Sequence, residues 1–230
     1  MPDVPVRKYY AGGQWREAGG AAVFEDYEPY TGEVFARVAD AGGAEARIAI
    51  EAAAEAFPAW AALAPAEKAK LFYRAAEIVR RRSKEIAEIL ARETGSTIPF
   101  STFQQEGVAA TLEQAANWVF LPKGEVLQSN VPNTHSVGVR RPLGVVASFT
   151  PWNGASILSW RAVLNPIAAG NTVVVKPSEF APVSAGLMVA EIAEEASRPG
   201  SSTSSPTRPA ARRPSPTSSS PARTYGSSTS

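Results

Sequence analysis

The sequence predicts an α/β protein whose informative part is a parallel strand–helix–strand–helix unit. Two observations carry this. The apolar run Leu143–Phe149 and the β-branched run Thr172–Val175 read as strands. Between them, Ser156–Ala169 reads as a helix closed by Gly170-Asn171, and Ser184–Ala196 reads as a second helix after the second strand. Strands of one hand joined through helices form parallel sheets, and an unbroken apolar run is what a buried parallel strand looks like. Composition agrees, with 44% hydrophobic and 20% charged residues among 230, which is ordinary globular usage.

The elements follow in order. Residues 7–40 read as short strands separated by turns at Gly12-Gly13 and at Pro29–Gly32, with an alternating strand from Glu33 to Val38. An Ala-rich helix over 44–57 holds Ile48 and Phe57 and is expected to stop at Pro58. A long helix is expected from Ala66 to Arg92. Its apolar face steps through Leu71, Ala75, Ile78, Val79, Arg82, Ile86, Ile89 and Leu90, and Thr94-Gly95 stops it. Arg80-Arg81-Arg82 reads as a solvated charged face, with a phosphate or nucleic-acid patch as the alternative. A third helix spans Phe103–Phe120 with Trp118 in the core, and 124–141 forms a hairpin turning at Pro132-Asn133. His135 lies beside that turn and reads as an exposed loop residue.

Charge and cysteine usage exclude several functions. Net charge is +1, and cysteine is absent, so disulfides, thiolate metal sites and a cysteine nucleophile are excluded for these residues. A single histidine argues against a His-based metal cluster. No apolar run is long enough for a membrane span, and the first residues show no signal-type segment. The expected location is cytoplasmic, with no nucleic-acid or membrane partner. Composition changes near residue 197. Residues 197–230 contain twelve Ser, six Pro, five Arg and five Thr, with no Asp, Glu, Lys, Val, Ile or Leu. Such a segment buries too little apolar surface to offset chain entropy and is expected to be disordered. The remaining 1–196 carries 18 basic and 22 acidic residues.

Each strand of the parallel unit ends in a polar tetrad, Thr150-Pro151-Trp152-Asn153 and Lys176-Pro177-Ser178-Glu179. Polar residues beyond the carboxyl ends of parallel strands face the ligand crevice. These tetrads, with Arg141–Val146, Gly170–Val175, the Pro29–Glu33 turn and Glu93-Thr94-Gly95, resemble the NAD(P)-dependent aldehyde dehydrogenase superfamily across residues 7–196. The resemblance implies a partial Rossmann-like cofactor-binding domain of the aldehyde dehydrogenase fold, with 124–141 as an oligomerisation arm and NAD or NADP as cofactor. Phe149, Thr150 and Trp152 would line the cofactor cleft. Lys176, Ser178 and Glu179 would face the adenosine ribose, or Lys176 the 2′-phosphate of NADP. Asn153 would be the catalytic oxyanion donor. Arg161 after Trp160 leans toward the branch acting on benzaldehyde or vanillin. Two departures stand beside the match: Gly154-Ala155 follow Asn153 where a Pro is common, and Pro166 sits one place later than usual.

The resemblance also implies a Cys nucleophile, a Glu base, a Gly-rich pyrophosphate turn and a C-terminal sheet strand, none of which these residues supply. The chain is therefore expected to be an inactive part of such an enzyme, and no homo-oligomer is expected of it alone. The bias after Ala196 suggests a reason. Shifted by one base, residues 198–205 can encode Pro-Ala-Gly-Val-Leu-Asn-Val-Val, and 225–230 can encode Val-Arg-Val-Ile-Asn-Phe, both family-like. A reading-frame shift near Ala196 is thus one expectation. The others are a cofactor-binding module without turnover and an interaction protein with a basic tail.

Overall fold

The computed structural model describes Val4 and residues 6–198. The segment expected to be disordered, 197–230, lies outside these residues except for its first two positions.

The N-terminal region makes two small sheets. Strands β2 (Tyr9–Ala11) and β3 (Gln14–Arg16) form an antiparallel hairpin. Strand β5 (Val34–Ala39) sits between β1 (Val6–Arg7), parallel to it, and β4 (Val23–Tyr27), antiparallel to it. The turn between β4 and β5 forms where expected: Gly32 takes φ 72° and donates its N–H to the Glu28 carbonyl at 2.8 Å.

Helix α1 runs Gly43–Ala62, so Pro58 lies inside it rather than ending it. Proline removes one helical bond, to the carbonyl four residues earlier. Packing outweighs that loss. The Thr172 hydroxyl donates to the Ala53 carbonyl at 2.8 Å, and the Trp60 indole donates to the Ile167 carbonyl at 3.0 Å. The Lys68 ammonium lies 5.3 Å from the Trp60 ring centre, where the ring face attracts a cation.

The long helix expected over 66–92 is two helices, α2 (Pro65–Arg81) and α3 (Ser83–Thr94), broken at Arg82 with φ −93° and ψ 7°. Apolar spacing runs unbroken through the joint, so periodicity alone does not show the break. Arg82 turns its guanidinium to Glu85 at 2.8 Å and to Glu191 at 3.1 Å. Arg80 pairs with Glu113 at 2.6 Å, and Arg81 with Glu195. The arginine run is therefore stitched to neighbouring helices rather than presented as an anion patch.

Helix α3 ends at Gly95 with φ 71°, as expected. A Cβ there would also meet Pro29 Cγ at 3.1 Å. Gly95→Ala should lower stability by about 1–2 kcal/mol, since alanine pays for a left-handed backbone that glycine adopts freely. A shift in the urea midpoint at unchanged slope would show it; an unchanged midpoint would contradict it.

Helix α4 (Ile98–Trp118) begins five residues before its expected start, because Thr97 caps it by accepting the Phe100 N–H and Pro99 is tolerated in its first turn. The exposed hairpin of β6 (Gly124–Leu127) and β7 (Ser136–Val139) turns through Asn133, which takes φ 60°. The main core joins α2 and α4 to α5 (Ala155–Ala168) and α6 (Met188–Ser197) around Val79, Val108, Leu112, Leu164 and Ile192.

The predicted parallel pair is β8 (Val145–Thr150) and β9 (Thr172–Pro177). One expectation is corrected: β8 is not buried on both faces. Ser148 and Thr150 are buried, whereas Ala147 and Phe149 are exposed. The first turn of the expected 184–196 helix is a π-helical turn, Val183–Leu187, which leads into α6. Among the described residues no helix is long and apolar enough to cross a membrane.

Candidate functional site

The register of β8 against β9 brings the two tetrads together. Phe149 lies opposite Lys176, and Thr150 opposite Pro177. Both strands therefore end at one edge, where backbone polarity and side chains can meet a ligand.

The buried side chain Asn171 sets this register. Its Oδ1 accepts the N–H groups of Leu143 at 2.7 Å and Gly144 at 3.1 Å, and its Nδ2 donates to the Pro166 carbonyl at 3.0 Å. The residue that closes α5 thus also ties the starts of both strands. At the far end, Gly186 packs its backbone against Pro177: a Cβ there would sit 2.7 Å from Pro177 Cγ. Only glycine lets the π-helical turn approach the end of β9 so closely.

Alternation along β8 separates the predicted cleft residues. Phe149 is 78% exposed, while the Thr150 side chain is buried and its hydroxyl has no hydrogen-bond partner. Phe149 and Trp152 therefore offer aromatic surface to solvent, and Thr150 reaches the edge through its backbone alone. Asn153 is exposed and its side chain makes no hydrogen bond among the described residues. Nor does it cap α5, whose N-cap is Gly154 with no side-chain bond. The first turn of α5 is held instead from α4: Gln104 accepts the Ile157 N–H at 3.3 Å, and Gln105 accepts the Ser156 hydroxyl at 3.1 Å. The Asn153 amide is left free to donate.

At the end of β9, Lys176 Nζ and Glu179 Oε2 are 3.4 Å apart, both well exposed. The Glu179 backbone N–H and the Lys176 ammonium hold that carboxylate below the ordinary range. A cationic donor beside an anionic acceptor suits a pair of adjacent hydroxyls, and the ammonium alone suits a phosphate. The half-buried Ser178 accepts the Phe180 N–H on its hydroxyl at 3.2 Å, a bond within the turn after β9. His135 is exposed in the hairpin loop. No cluster able to hold a metal ion occurs among the described residues.

Apolar periodicity does not show a second polar centre. The sequence marks Glu93 only as part of a helix end. In the structure it is buried, accepting the Val183 N–H at 2.6 Å, the Ser184 N–H at 2.8 Å and the Ser184 hydroxyl. A signal existed: Glu93 follows Ile86, Ile89 and Leu90 at seven, four and three residues, which puts a carboxylate on the buried face.

An open α/β edge with these tetrads defines a class of nucleotide-dependent enzymes, and comparison with known proteins makes it specific. The profile described as "Aldehyde dehydrogenase family" matches residues 15–203, and the chain belongs to that family. It is 43% identical over 182 residues to a vanillin dehydrogenase of Pseudomonas fluorescens, covering 79% of this chain and 37% of that protein. It superposes on an NAD-dependent benzaldehyde dehydrogenase from Corynebacterium glutamicum with a TM-score of 0.80 at 33% identity, covering 87% of this chain and 44% of that one. The salicylaldehyde dehydrogenase of Pseudomonas putida G7, solved with salicylaldehyde, gives 0.81 at 30% identity, covering 84% and 40%. The chain spans about two fifths of the length of the curated relatives it matches.

Proposed function

We propose that these residues form the cofactor-facing part of an enzyme that oxidises an aldehyde, of the vanillin or benzaldehyde kind, to a carboxylic acid with NAD or NADP. The observation that carries this reading is the register that sets Phe149 beside Lys176 at one sheet edge. The residues fit the cofactor's chemistry. Lys176 and Glu179 would hold the adenosine ribose, with Lys176 also able to meet a 2′-phosphate. Phe149 and Trp152 would pack against the cofactor's rings, and the Thr150 backbone would border them. The bound nucleotide would supply a hydride acceptor. The Asn153 amide would donate to the oxygen that gains negative charge when the aldehyde carbonyl is attacked.

The 230 residues contain no cysteine, so they offer no thiolate for that attack. The chain alone should therefore turn over no aldehyde, and without the Gly-rich pyrophosphate turn that the family resemblance implies it should bind cofactor weakly. The bias after Ala196 is in keeping with a shifted reading frame, and sequencing the gene across the codons for Glu194 to Arg198 tests that point. The exposed valines of the hairpin, Val126, Val137 and Val139, suit an arm that packs against another subunit in a longer enzyme.

Calorimetric titration with NAD and with NADP tests the cofactor reading. Lys176→Ala and Glu179→Ala should each weaken binding about tenfold, with thermal stability unchanged because the pair is exposed. Equal affinity in wild type and both variants would overturn the assignment. Aldehyde-dependent NADH formation by the purified chain would overturn the expected inactivity.

A further inference from the structure

We propose that Asp26 and Glu93 share one proton and together form a latch that fixes the segment following the cofactor-facing tetrad. The inference rests on the cofactor reading only for what the latch serves; the latch itself stands on packing. Asp26 lies on β4 where the pairing with β5 shifts register between Asp26 and Tyr27. The Asp26 carboxyl is 3% exposed and within hydrogen-bonding reach of Glu93. Its Oδ2 is buried with no hydrogen-bond partner. Glu93, 2% exposed, meets Asp26 on one side and the first amides of the π-helical turn on the other.

Two ionised carboxylates cannot occupy so small a buried volume without strong repulsion, so one proton between them is the arrangement with the lowest cost. Among the described residues no cation acts on either carboxyl. On α3, Arg92 is turned to Glu28 at 3.1 Å and lies over the Phe35 ring. On β4, Glu25 bonds the Tyr27 hydroxyl, and on β5 Arg37 stands opposite Glu25. The turn Val183–Leu187 carries no charged residue, and Lys176 and Glu179 before it pair with each other. Burial raises both carboxyls, and for Glu93 the Asp26 charge raises it further.

The latch matters because Val183 and Ser184 follow Lys176–Glu179 after only three residues. Holding their amides fixes the return of the chain from β9 into α6, and with it the direction of the Lys176–Glu179 loop. A group whose proton is held more tightly when folded favours the closed form at low pH. That preference is lost as pH rises above about 4.5, the ordinary glutamate value, toward the raised value. Opening then releases one proton per molecule, so closure weakens about tenfold per pH unit across that window.

The test is hydrogen exchange of the whole chain from about pH 5 to neutrality, read as protection relative to intrinsic exchange. Protection of the Val183 and Ser184 amides should fall about tenfold per pH unit, while Leu112 in the core keeps its own. Glu93→Gln should flatten the slope, and Asp26→Asn should move the upper end of the window to lower pH. Infrared spectra should show a protonated-carboxyl stretch near neutrality in wild type, lost in both variants. PH-independent protection in wild type, or absence of that band, overturns the latch. So does protection that follows the concentration of sodium or potassium instead of pH, since a cation would then neutralise the pair. If either variant fails to fold, the wild-type series and its infrared band still decide. Titrating NAD into the same samples separates the two readings. The predicted slope without cofactor binding supports the latch and removes the role given to Lys176 and Glu179. Cofactor binding with flat protection overturns the latch alone.

Discussion

Leu112→Ala is expected to lower unfolding free energy by about 2–5 kcal/mol, the largest stability effect of any single substitution considered for this chain. Leu112 is fully buried on α4, in the core shared with α2, α5 and α6. Removing three carbons there loses transfer energy and leaves a cavity. Helices packed from several directions close such a cavity poorly, so the cost should fall in the upper part of the range. Urea unfolding monitored by circular dichroism would show a lower midpoint at similar slope. Leu143→Ala is the control: Leu143 is 93% exposed, so its replacement should change stability by less than about 0.5 kcal/mol. Equal effects of the two substitutions would mean that the core is wrongly placed.

Asn171→Ala is the second large effect, and it joins stability to the site. The side chain makes three hydrogen bonds, two accepted from the Leu143 and Gly144 amides at the start of β8 and one donated to the Pro166 carbonyl in α5. Alanine leaves both amides unpaired in a partly buried place, at about 1–3 kcal/mol for the group that water reaches least, while the Pro166 carbonyl keeps the backbone N–H of residue 171. The expected result is a loss of about 2–3 kcal/mol together with weaker cofactor binding, because Asn171 sets the register that brings Phe149 beside Lys176. Stability lost with cofactor affinity unchanged would show that the strand ends are fixed without this residue.

Much of this arrangement was legible in the sequence. The strand–helix–strand unit shows because its strands are β-branched and its helix ends in Gly170-Asn171. The Gly95 stop and the turn at Asn133 show because each needs a left-handed backbone. What stayed hidden depends on contacts between distant residues. Pro58 lies within α1 because Trp60 and Thr172 bond across to and from other elements, and no local pattern records that. The break at Arg82 follows from carboxylates on α6, more than a hundred residues on. The site divides the same way. Its proposed edge location follows from motif and strand order, and Lys176 and Glu179 lie close enough in sequence for their pairing to be legible. That Phe149 is exposed while Thr150 is buried depends on which face of β8 meets the helices. Asp26 and Glu93 lie far apart in the chain, so no local pattern records their meeting.

The central claim is that the ends of β8 and β9 form one cofactor-binding edge. Titration of isotope-labelled chain with NAD, followed residue by residue through backbone amide shifts, tests it most directly. The predicted result is a set of saturable shifts confined to Phe149–Asn153 and Lys176–Glu179, reduced by Lys176→Ala and Glu179→Ala. Saturable shifts centred elsewhere, or none at cofactor concentrations far above those at which the family's enzymes work, would contradict it.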